Sequence, residues 1–308
     1  MAITNIYKGD LERSDIQKIY KGTTLLYESM TYEDYARELY LDWGKSNQFE
    51  AAWESSLTVD QLEISADSTQ EDQRGTAQYP NGETEGVIIP LSVTTIGDYA
   101  FYNWQSNNQP LVIPDSVTSI GIYAFGYWDS NNQPLVIPDS VTSIGSNAFR
   151  NWYLNNQPLV IPNSVTDIGI SVFQNWDANN QPLVIPDSIT SIGNYAFANW
   201  RANTHPLVIP DSVTSIGIYA FYNWRANTHP LVIPDSVTSI GRNAFRNWSL
   251  VPYIEMQSLT PPSLAGSNAF DGQNNAPIYV PDESVDDYKE ATNWVNLASR
   301  IFSINDKE

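Results

Sequence analysis

The sequence contains no cysteine and only two histidines among its 308 residues. The absence of cysteine excludes disulfide bonds, zinc sites built on thiolates and a cysteine nucleophile. Residues 1–10 hold no apolar core of signal-peptide length, and no stretch approaches the roughly 18 apolar residues of a membrane span. We therefore expect a soluble protein without membrane insertion that does not use the standard export route.

Basic residues are also scarce, because 15 Lys and Arg stand against 35 Asp and Glu and give a net charge of −20. An acidic surface repels the phosphate backbone of nucleic acids and the headgroups of anionic lipids. The composition therefore argues against nucleic-acid binding and against binding to a membrane surface.

A short, strictly periodic repeat dominates the middle of the chain. One unit covers residues 110–133 and reads PLVIPDSVTSIGIYAFGYWDSNNQ. Its opening proline returns without any insertion at Pro134, Pro158, Pro182, Pro206 and Pro230. An earlier copy begins at Gly86, which makes seven units. A unit this small cannot bury its own apolar face, so the copies must stack on one another.

Each unit contains two short apolar patterns and an aromatic one. The Leu-Val-Ile triplet predicts one strand, and the Val-Thr-Ser-Ile run predicts a second that a glycine closes. The Ala-Phe-x-x-Trp pattern predicts a single helical turn. Strands of successive coils should pair in parallel, about 4.8 Å apart. The positions that we expect in the stacked core of the second unit are Leu111, Ile113, Val117, Ile120, Ala124 and Phe125.

The repeated string IPDSVTSIGxxAF resembles the BspA-type leucine-rich repeats of bacterial and viral surface proteins. Residues 278–301, IYVPDESVDDYKEATNWVNLASRI, resemble the last coil and capping helix of such arrays. The resemblance covers about residues 86–302 and implies an α/β repeat solenoid, a leucine-rich-repeat-like stack of seven coils. Tryptophan stands where many family members have cysteine after Ala-Phe, so the binding properties of other members' loops do not carry over.

The N-terminal region differs from the repeats. Two alternating runs around Lys21 and Gly22 predict a β-hairpin. Residues 18–27, KIYKGTTLLY, resemble segments of tailed-phage structural proteins, which makes Ile19, Tyr20, Leu25 and Tyr27 candidates for anchoring a partner. Residues 31–43 predict an amphipathic helix, and residues 65–85 a polar linker.

These patterns divide the chain into four segments. Residues 1–30 form a hairpin anchor, residues 31–85 a helical region with a linker, and residues 86–253 the solenoid. Residues 254–308 form a degenerate repeat and a cap, in which Tyr288, Ala291, Trp294, Leu297 and Ala298 have helical spacing.

Several repeated residues are candidates for binding. The tryptophan column either stacks inside the solenoid or forms an exposed platform for sugar rings. The column consists of Trp104, Trp128, Trp152, Trp176, Trp200, Trp224 and Trp248. Asn131, Asn155 and Asn179 predict structural amide ladders and also a polar rim suited to recognition. His205 and His229 occupy the same position in adjacent repeats, but two ligands make a weak metal site, so a duplicated loop explains them better.

An aspartate column recurs in the turn after the first strand, at Asp115, Asp139, Asp187, Asp211 and Asp235, and Asn163 interrupts it. Pro-Asp-Ser is typical of a turn in which the carboxylate binds backbone amides. Calcium between coils is the alternative, but calcium sites need 6–8 oxygen ligands and each coil supplies one carboxylate. The turn is therefore the favoured interpretation.

No catalytic motif is present, and we expect a non-enzymatic protein without a cofactor or metal. The first hypothesis is a virion structural protein of a tailed phage, anchored to other virion proteins through residues 1–85. Its solenoid would face a host surface protein or glycan, in a homo- or hetero-oligomeric assembly. The alternative is a bacterial cell-surface adhesin of the BspA type.

Overall fold

The structure is a computed structural model that describes residues 16–21, 24–30, 62–64, 87–89, 93–103, 111–273 and 275–307. Side chains are described for residue 89 and for residues 93–103, 111–273 and 275–307. Strands β1 (Ile16–Lys21) and β2 (Thr24–Met30) form an antiparallel pair at the position of the predicted hairpin, with a register shift between Ile19 and Tyr20. The predicted helix at residues 31–43 and the polar linker at residues 65–85 lie outside the described residues.

The repeats form a stack of parallel coils, as the period predicts. On one face, the Val-Thr-Ser-Ile segments form a four-stranded sheet followed by a five-stranded sheet. The first sheet consists of β3 (Leu62–Ile64), β5 (Val93–Ile96), β7 (Ser119–Ile120) and β9 (Ser143–Ile144). The second consists of β11 (Asp167–Ile168), β12 (Ser191–Ile192), β13 (Ser215–Ile216), β15 (Ser239–Ile240) and β17 (Ser263–Leu264).

A second face is formed by the Leu-Val-Ile segments, which pair in parallel in three groups. Two of these groups are pairs, β4 (Val87–Ile88) with β6 (Leu111–Val112) and β8 (Leu135–Val136) with β10 (Leu159–Val160). The third is a four-stranded sheet of β14 (Leu231–Ile233), β16 (Ile254–Met256), β18 (Ile278–Val280) and β19 (Ile301–Ser303).

The coils stack in register. Ile192 pairs with Ile216, and Ile216 pairs with Ile240, so each residue lies beside its own copy in the next coil. The glycine after each isoleucine permits this close approach. A Cβ atom on Gly145 would lie 2.5 Å from the carbonyl carbon of Gly121, and no side chain can occupy that space.

The predicted helical turn at Ala-Phe-x-x-Trp is wrong. Two residues of this segment have left-handed backbones in each of the seven repeats, as Tyr123 (φ 53°) and Tyr127 (φ 64°) do in one of them. Alternate amides donate to the following coil, for example Phe125 N to Ala148 O at 2.8 Å. The donor and the acceptor of each such bond belong to different coils. The prediction of a helical turn used only the spacing of residues three or four apart and therefore could not include these bonds.

The core contains the predicted positions. Leu111, Ile113, Val117, Ile120, Ala124 and Phe125 are all buried, and their copies in the other described coils extend one continuous core along the stack. The phenylalanines stack face to face, as Phe125 and Phe149 do with ring centroids 5.4 Å apart. The core lies between the coils rather than within any one of them, which confirms why a single unit is not stable alone.

At the start of the stack, strand β3 pairs with β5, so parallel pairing begins before residue 86, the predicted start of the solenoid. At the other end, the predicted capping helix is confirmed as a short helix: helix α1 spans Val285–Glu290, and a separate 3₁₀ helix spans Trp294–Arg300. Asn293 separates them with a left-handed φ of 66°. Strand β19 then extends the second face instead of continuing a helix.

Candidate interaction surface

The tryptophan column lies inside the solenoid. The six indoles from Trp128 to Trp248 are 0–1% exposed, while Trp104 lies outside the described residues. Neighbouring indoles stack, as Trp128 and Trp152 do at 5.4 Å with an interplanar angle of 3°. A buried ring has no face for a sugar, so these six residues are not a platform for glycans. The packing alternative is the correct one.

Each described indole also donates a hydrogen bond between coils. Trp176 Nε1 lies 2.8 Å from the carbonyl oxygen of Phe149, and the other five donate to the equivalent phenylalanine at 2.6–2.8 Å. In the eighth coil, which lacks the tryptophan, Gln273 Nε2 donates to Phe245 O at 3.0 Å. The sequence analysis did not single out Gln273, although it lies three residues after Phe270 as Trp248 lies three residues after Phe245.

The asparagine positions are structural rather than a recognition rim. Asn131, Asn155 and Asn179 are 0–1% exposed. Asn155 Nδ2 donates to Gln133 O in the preceding coil at 2.9 Å, and Asn155 Oδ1 accepts from Gln157 N at 3.0 Å. Such an amide satisfies two backbone groups that burial would otherwise leave unpaired. These three positions are therefore buried links to the backbone, and they form neither an exposed rim nor a ladder of side-chain amides.

His205 and His229 are half-buried in adjacent coils. Their backbone amides each donate to an asparagine side chain, and Asn227 Nδ2 donates to His205 O. In the described part of the chain, no group of three or more His, Asp or Glu side chains is placed to hold a metal ion. The two histidines therefore replace the glutamines of earlier coils, such as Gln181, at a structural position.

The aspartate column lies at the surface, but its carboxylates do not close the turns. In the second unit, the turn is closed by Val117 N, which donates to Pro114 O at 3.0 Å. The serine after the aspartate links coils instead, as Ser140 Oγ does by donating to Val117 O at 2.7 Å. None of the five aspartates accepts a hydrogen bond from a described residue. The predicted amide-binding role of these carboxylates is therefore wrong.

The anchoring candidates Ile19, Tyr20, Leu25 and Tyr27 lie on the two strands of the hairpin. Ile19 pairs with Tyr27, and Tyr20 pairs with Leu25. Their side chains are outside the described part of the structure, so their anchoring role stays a prediction.

The solenoid exposes an apolar strip that the sequence analysis did not single out. Alternation along the Leu-Val-Ile strand turns leucine and isoleucine inward and valine outward. We call the exposed residues the valine row: Val112, Val136, Val160, Val184 and Val208. They are 49–68% exposed. The exposed aspartate column follows in the next turn and lines one side of the row.

A second surface feature is a set of tyrosines at the left-handed position before Ala-Phe. Tyr99 and Tyr123 stack with ring centroids 5.3 Å apart, and Tyr195 and Tyr219 stack at 4.8 Å. Tyr99 is 42% exposed, and the other three are half-buried. In the sequence, each of these tyrosines stands two residues before the phenylalanine of its coil. The period alone does not indicate that this side chain faces outward.

Three carboxyl groups have shifted pKa values: Asp129 and Asp177, each directly after a tryptophan, and Asp167 in β11. Burial raises the pKa of Asp129 above its ordinary value, and it also raises the pKa of Asp177, although Arg201 opposes that shift. The Arg201–Asp177 ion pair is 2.9 Å long and half-exposed on the arginine side, so it contributes little to stability. At Asp167, hydrogen bonding from Ser191 holds the pKa of the carboxyl below its ordinary value.

The family of the chain follows from its repeats. The family model described as "BspA type Leucine rich repeat region (6 copies)" matches residues 76–202 and 175–292, which is more than half of the sequence. The chain therefore belongs to the BspA-type leucine-rich repeat family, which is known from bacterial surface proteins. No curated protein sequence matches it. None of the described helices has the length and apolar character that a membrane crossing needs.

One solved structure supports this fold, and two more are reported only as similar. A leucine-rich repeat protein from Bacteroides ovatus is 17% identical, with a TM-score of 0.56 over 76% of this chain and 70% of that one. A leucine-rich cell surface protein from Faecalibacterium prausnitzii is 21% identical, with a TM-score of 0.44 over 70% of this chain and 62% of that one. A leucine-rich repeat protein from Eubacterium ventriosum is 21% identical, with a TM-score of 0.46, covering 65% and 50%. The chain thus spans less than two thirds of the last two proteins.

Proposed function

We propose that the chain is a non-enzymatic binding module of a bacterial cell surface, and that its solenoid mediates adhesion by contacting protein. Membership of the BspA-type family supports the cell-surface setting. The comparisons indicate no catalytic family, and the fold is typically a binding scaffold. This proposal gives the surface adhesin precedence over the virion protein.

The valine row is the observation that carries the proposal. Five valines in consecutive coils form an apolar strip of about 19 Å, since coils repeat every 4.8 Å or so. Contiguous apolar surface rimmed by polar groups is typical of protein contact sites. The exposed carboxylates of the aspartate column provide that rim on one side. A protein partner with an apolar centre and a basic edge matches this surface in both polarity and charge.

Adhesion tests the proposal directly. The triple substitution V160T/V184T/V208T keeps strand-compatible shapes but adds hydroxyls to the row, and we expect binding of the fluorescent full-length chain to host cells to fall at least tenfold. The control T190S/T214S/T238S alters the other face and should bind normally. Undiminished adhesion by a folded valine variant would remove the valine row as the contact.

Localisation tests the cell-surface part separately. Protease treatment of intact cells of the producing bacterium should cleave the chain, whereas cytoplasmic marker proteins should stay intact. Protection of the chain under these conditions would contradict surface display.

The second candidate is a structural protein of a tailed phage. It depends on the KIYKGTTLLY resemblance at residues 18–27, and the family and structural comparisons give it no support. Mass spectrometry of purified phage particles tests it, because a virion protein must be present in them in stoichiometric amounts.

A further inference from the structure

One group of residues occurs twice along one side of the solenoid, and all of its members except the buried Asn243 are at least partly exposed. The first set consists of Tyr99, Tyr123, Asn147 and Arg150, and the second set consists of Tyr195, Tyr219, Asn243 and Arg246. Each member of the second set occupies the same repeat position as its counterpart, four coils further along the chain. The sets are therefore about 19 Å apart along the same side of the stack.

The two sets share a tyrosine stack and an arginine–asparagine bond, whereas the bond from Arg150 to Tyr123 has no counterpart from Arg246 to Tyr219 among the described residues. In each, two tyrosines from consecutive coils stack, at 5.3 Å for the first pair and 4.8 Å for the second. The arginine then donates to the asparagine of its own coil, from Arg150 Nη1 to Asn147 Oδ1 at 3.3 Å and from Arg246 Nη1 to Asn243 Oδ1 at 3.4 Å. Ser171, without an aromatic ring, occupies the tyrosine position between the sets and separates them into two sites.

The backbone gives no reason for tyrosine at these positions. All four tyrosines have φ between 53° and 58°, a left-handed conformation that disfavours bulky residues. Asn147 and Asn243 occupy the same position of other coils, and asparagine adopts this conformation more readily. Strained residues of this kind concentrate at binding sites, where the side chain compensates for the backbone.

Simple duplication of four coils does not account for the pattern. Tyr102 corresponds to Ala198, Gly126 corresponds to Tyr222, and Ser146 corresponds to Arg242. The surrounding positions have therefore diverged, while the tyrosine pair, asparagine and arginine are the same in both sets.

The arginines determine the charge of the ligand. Neither Arg150 nor Arg246 forms an ion pair with a carboxylate among the described residues, although the chain carries a net charge of −20. Arg150 Nη1 also donates to Tyr123 Oη at 3.2 Å, so a guanidinium and a hydroxyl lie side by side at the surface. Guanidinium groups bind carboxylates through paired N–H donors, and a tyrosine hydroxyl adds a further donor.

We propose that the two sets form a bivalent site for a carboxylated polysaccharide, with tyrosine rings against the sugar rings and Arg150 and Arg246 on the uronate carboxylates. Two similar sites at a fixed distance on the stack favour a ligand whose own chemistry repeats, as a uronic-acid polymer does. Binding at one site raises the effective concentration at the other. This inference names a ligand class for the proposed surface role and rests on it.

Polysaccharide binding by the full-length chain tests the inference. The probes are polygalacturonate, alginate and hyaluronate, each immobilised for interferometry, and fully methyl-esterified polygalacturonate, which keeps the sugar rings but lacks the charge. We expect binding to at least one acidic polymer and at least a tenfold loss on its esterification. Absence of binding to all three acids, or equal binding of the ester, would overturn the proposal.

Variants separate the site from general electrostatics. R150Q/R246Q and Y123N/Y219N should each weaken binding at least tenfold, and Y219N alone should lose most of the avidity of the pair. The control K289Q removes one positive charge from helix α1 and should bind normally. The chain already has asparagine at this repeat position in other coils, at Asn147 and Asn243. We therefore expect Y123N and Y219N to leave the melting temperature unchanged.

Two outcomes would contradict the site even if binding occurs. If K289Q weakens binding as much as R150Q/R246Q does, or if polyglutamate binds as well as the polysaccharide, the interaction is a general charge effect or a protein contact. Adhesion that depends on the valine row while no polysaccharide binds would sink this inference and leave the proposed function standing.

Discussion

The indole nitrogen of Trp152 lies 2.7 Å from the carbonyl oxygen of Phe125 in the preceding coil, where it donates a buried hydrogen bond. The same contact recurs along the stack, so the tryptophans tie the coils together through both ring stacking and backbone bonding. The tryptophan column is therefore a buried link between coils and not a set of sugar-binding rings.

Replacement of one central indole should be costly. W176F keeps an aromatic ring but leaves Phe149 O buried without its donor and opens a cavity beside Trp152 and Trp200. We expect the free energy of unfolding in urea to fall by about 2–4 kcal/mol. The exposed substitution V184T should change it by less than about 0.5 kcal/mol, and a similarly small effect of W176F would contradict the linking role.

Two glycines in adjacent coils should respond oppositely to alanine. A Cβ on Gly145 would lie 2.5 Å from Gly121 C, whereas a Cβ on Gly169 would meet its nearest atom at 3.5 Å. Neither glycine has a positive φ. G145A should cost about 2–3 kcal/mol of unfolding free energy, and G169A should be neutral or stabilise by up to about 1 kcal/mol.

The glycine comparison also tests a local feature of the stack. The sheets on the first face are interrupted between β9 and β11, next to Gly169, and the ordinary contact distances there, against 2.5 Å at Gly145, indicate a wider spacing between these two coils. Equal destabilisation by both alanines would mean that the coils are evenly spaced in solution.

The side-chain amides of Asn175, Asn199 and Asn223 form a hydrogen-bonded ladder between coils. Two substitutions of Asn199 should separate the contribution of its backbone conformation from that of its hydrogen bonds. Asn199 has φ 64°, donates to Asn175 Oδ1 at 2.6 Å and accepts from Asn223 Nδ2 at 2.7 Å. N199A loses both the bonds and the tolerance of a left-handed backbone, and should cost about 2 kcal/mol or more in unfolding free energy. N199G loses only the bonds and should be about 1 kcal/mol less destabilising. If N199G lowers the free energy of unfolding more than N199A does, the left-handed backbone of Asn199 does not contribute to the cost.

Stability should depend on the Asp129 carboxyl group in a defined direction. Burial raises the pKa of Asp129, so the folded state prefers the protonated form, and the cost of ionising the group appears as the pH rises through that pKa. D129N should therefore raise the melting temperature at neutral pH and lose this advantage near about pH 3, below the ordinary carboxyl pKa.

A matched substitution controls for the change in net charge. D139N also removes one negative charge, but from the exposed aspartate column. If D129N and D139N raise the melting temperature equally at neutral pH, relief of overall repulsion rather than burial explains the gain.

The repeat predicts much of the fold because its period is local information. Parallel, in-register coils and the burial of Val117, Ile120 and Phe125 all follow from copies that cannot hide their apolar side chains alone. Strand β3 was not predicted, because Leu62 and Val93, which pair, are further apart in the sequence than one repeat period. Strand β19 was missed because its sequence continues an apparently helical pattern.

The candidate sites were harder to predict than the fold. Strict repetition makes Trp152 and Tyr123 look equally suited to an exposed column, since both belong to short aromatic patterns. Their exposure differs because left-handed residues at Tyr123 and Tyr127 turn the chain twice within a short segment. Rules for helices and strands assume regular backbones and do not anticipate these turns.

The sequence by itself determined that the chain is a stack of near-identical coils, because apolar groups that recur at one fixed, short period have no other way to leave water together. Only the tertiary structure decided which repeated side chains face inward. That choice depends on hydrogen bonds between coils, such as Phe125 N to Ala148 O, which join residues distant in sequence and set the direction of every side chain around the coil.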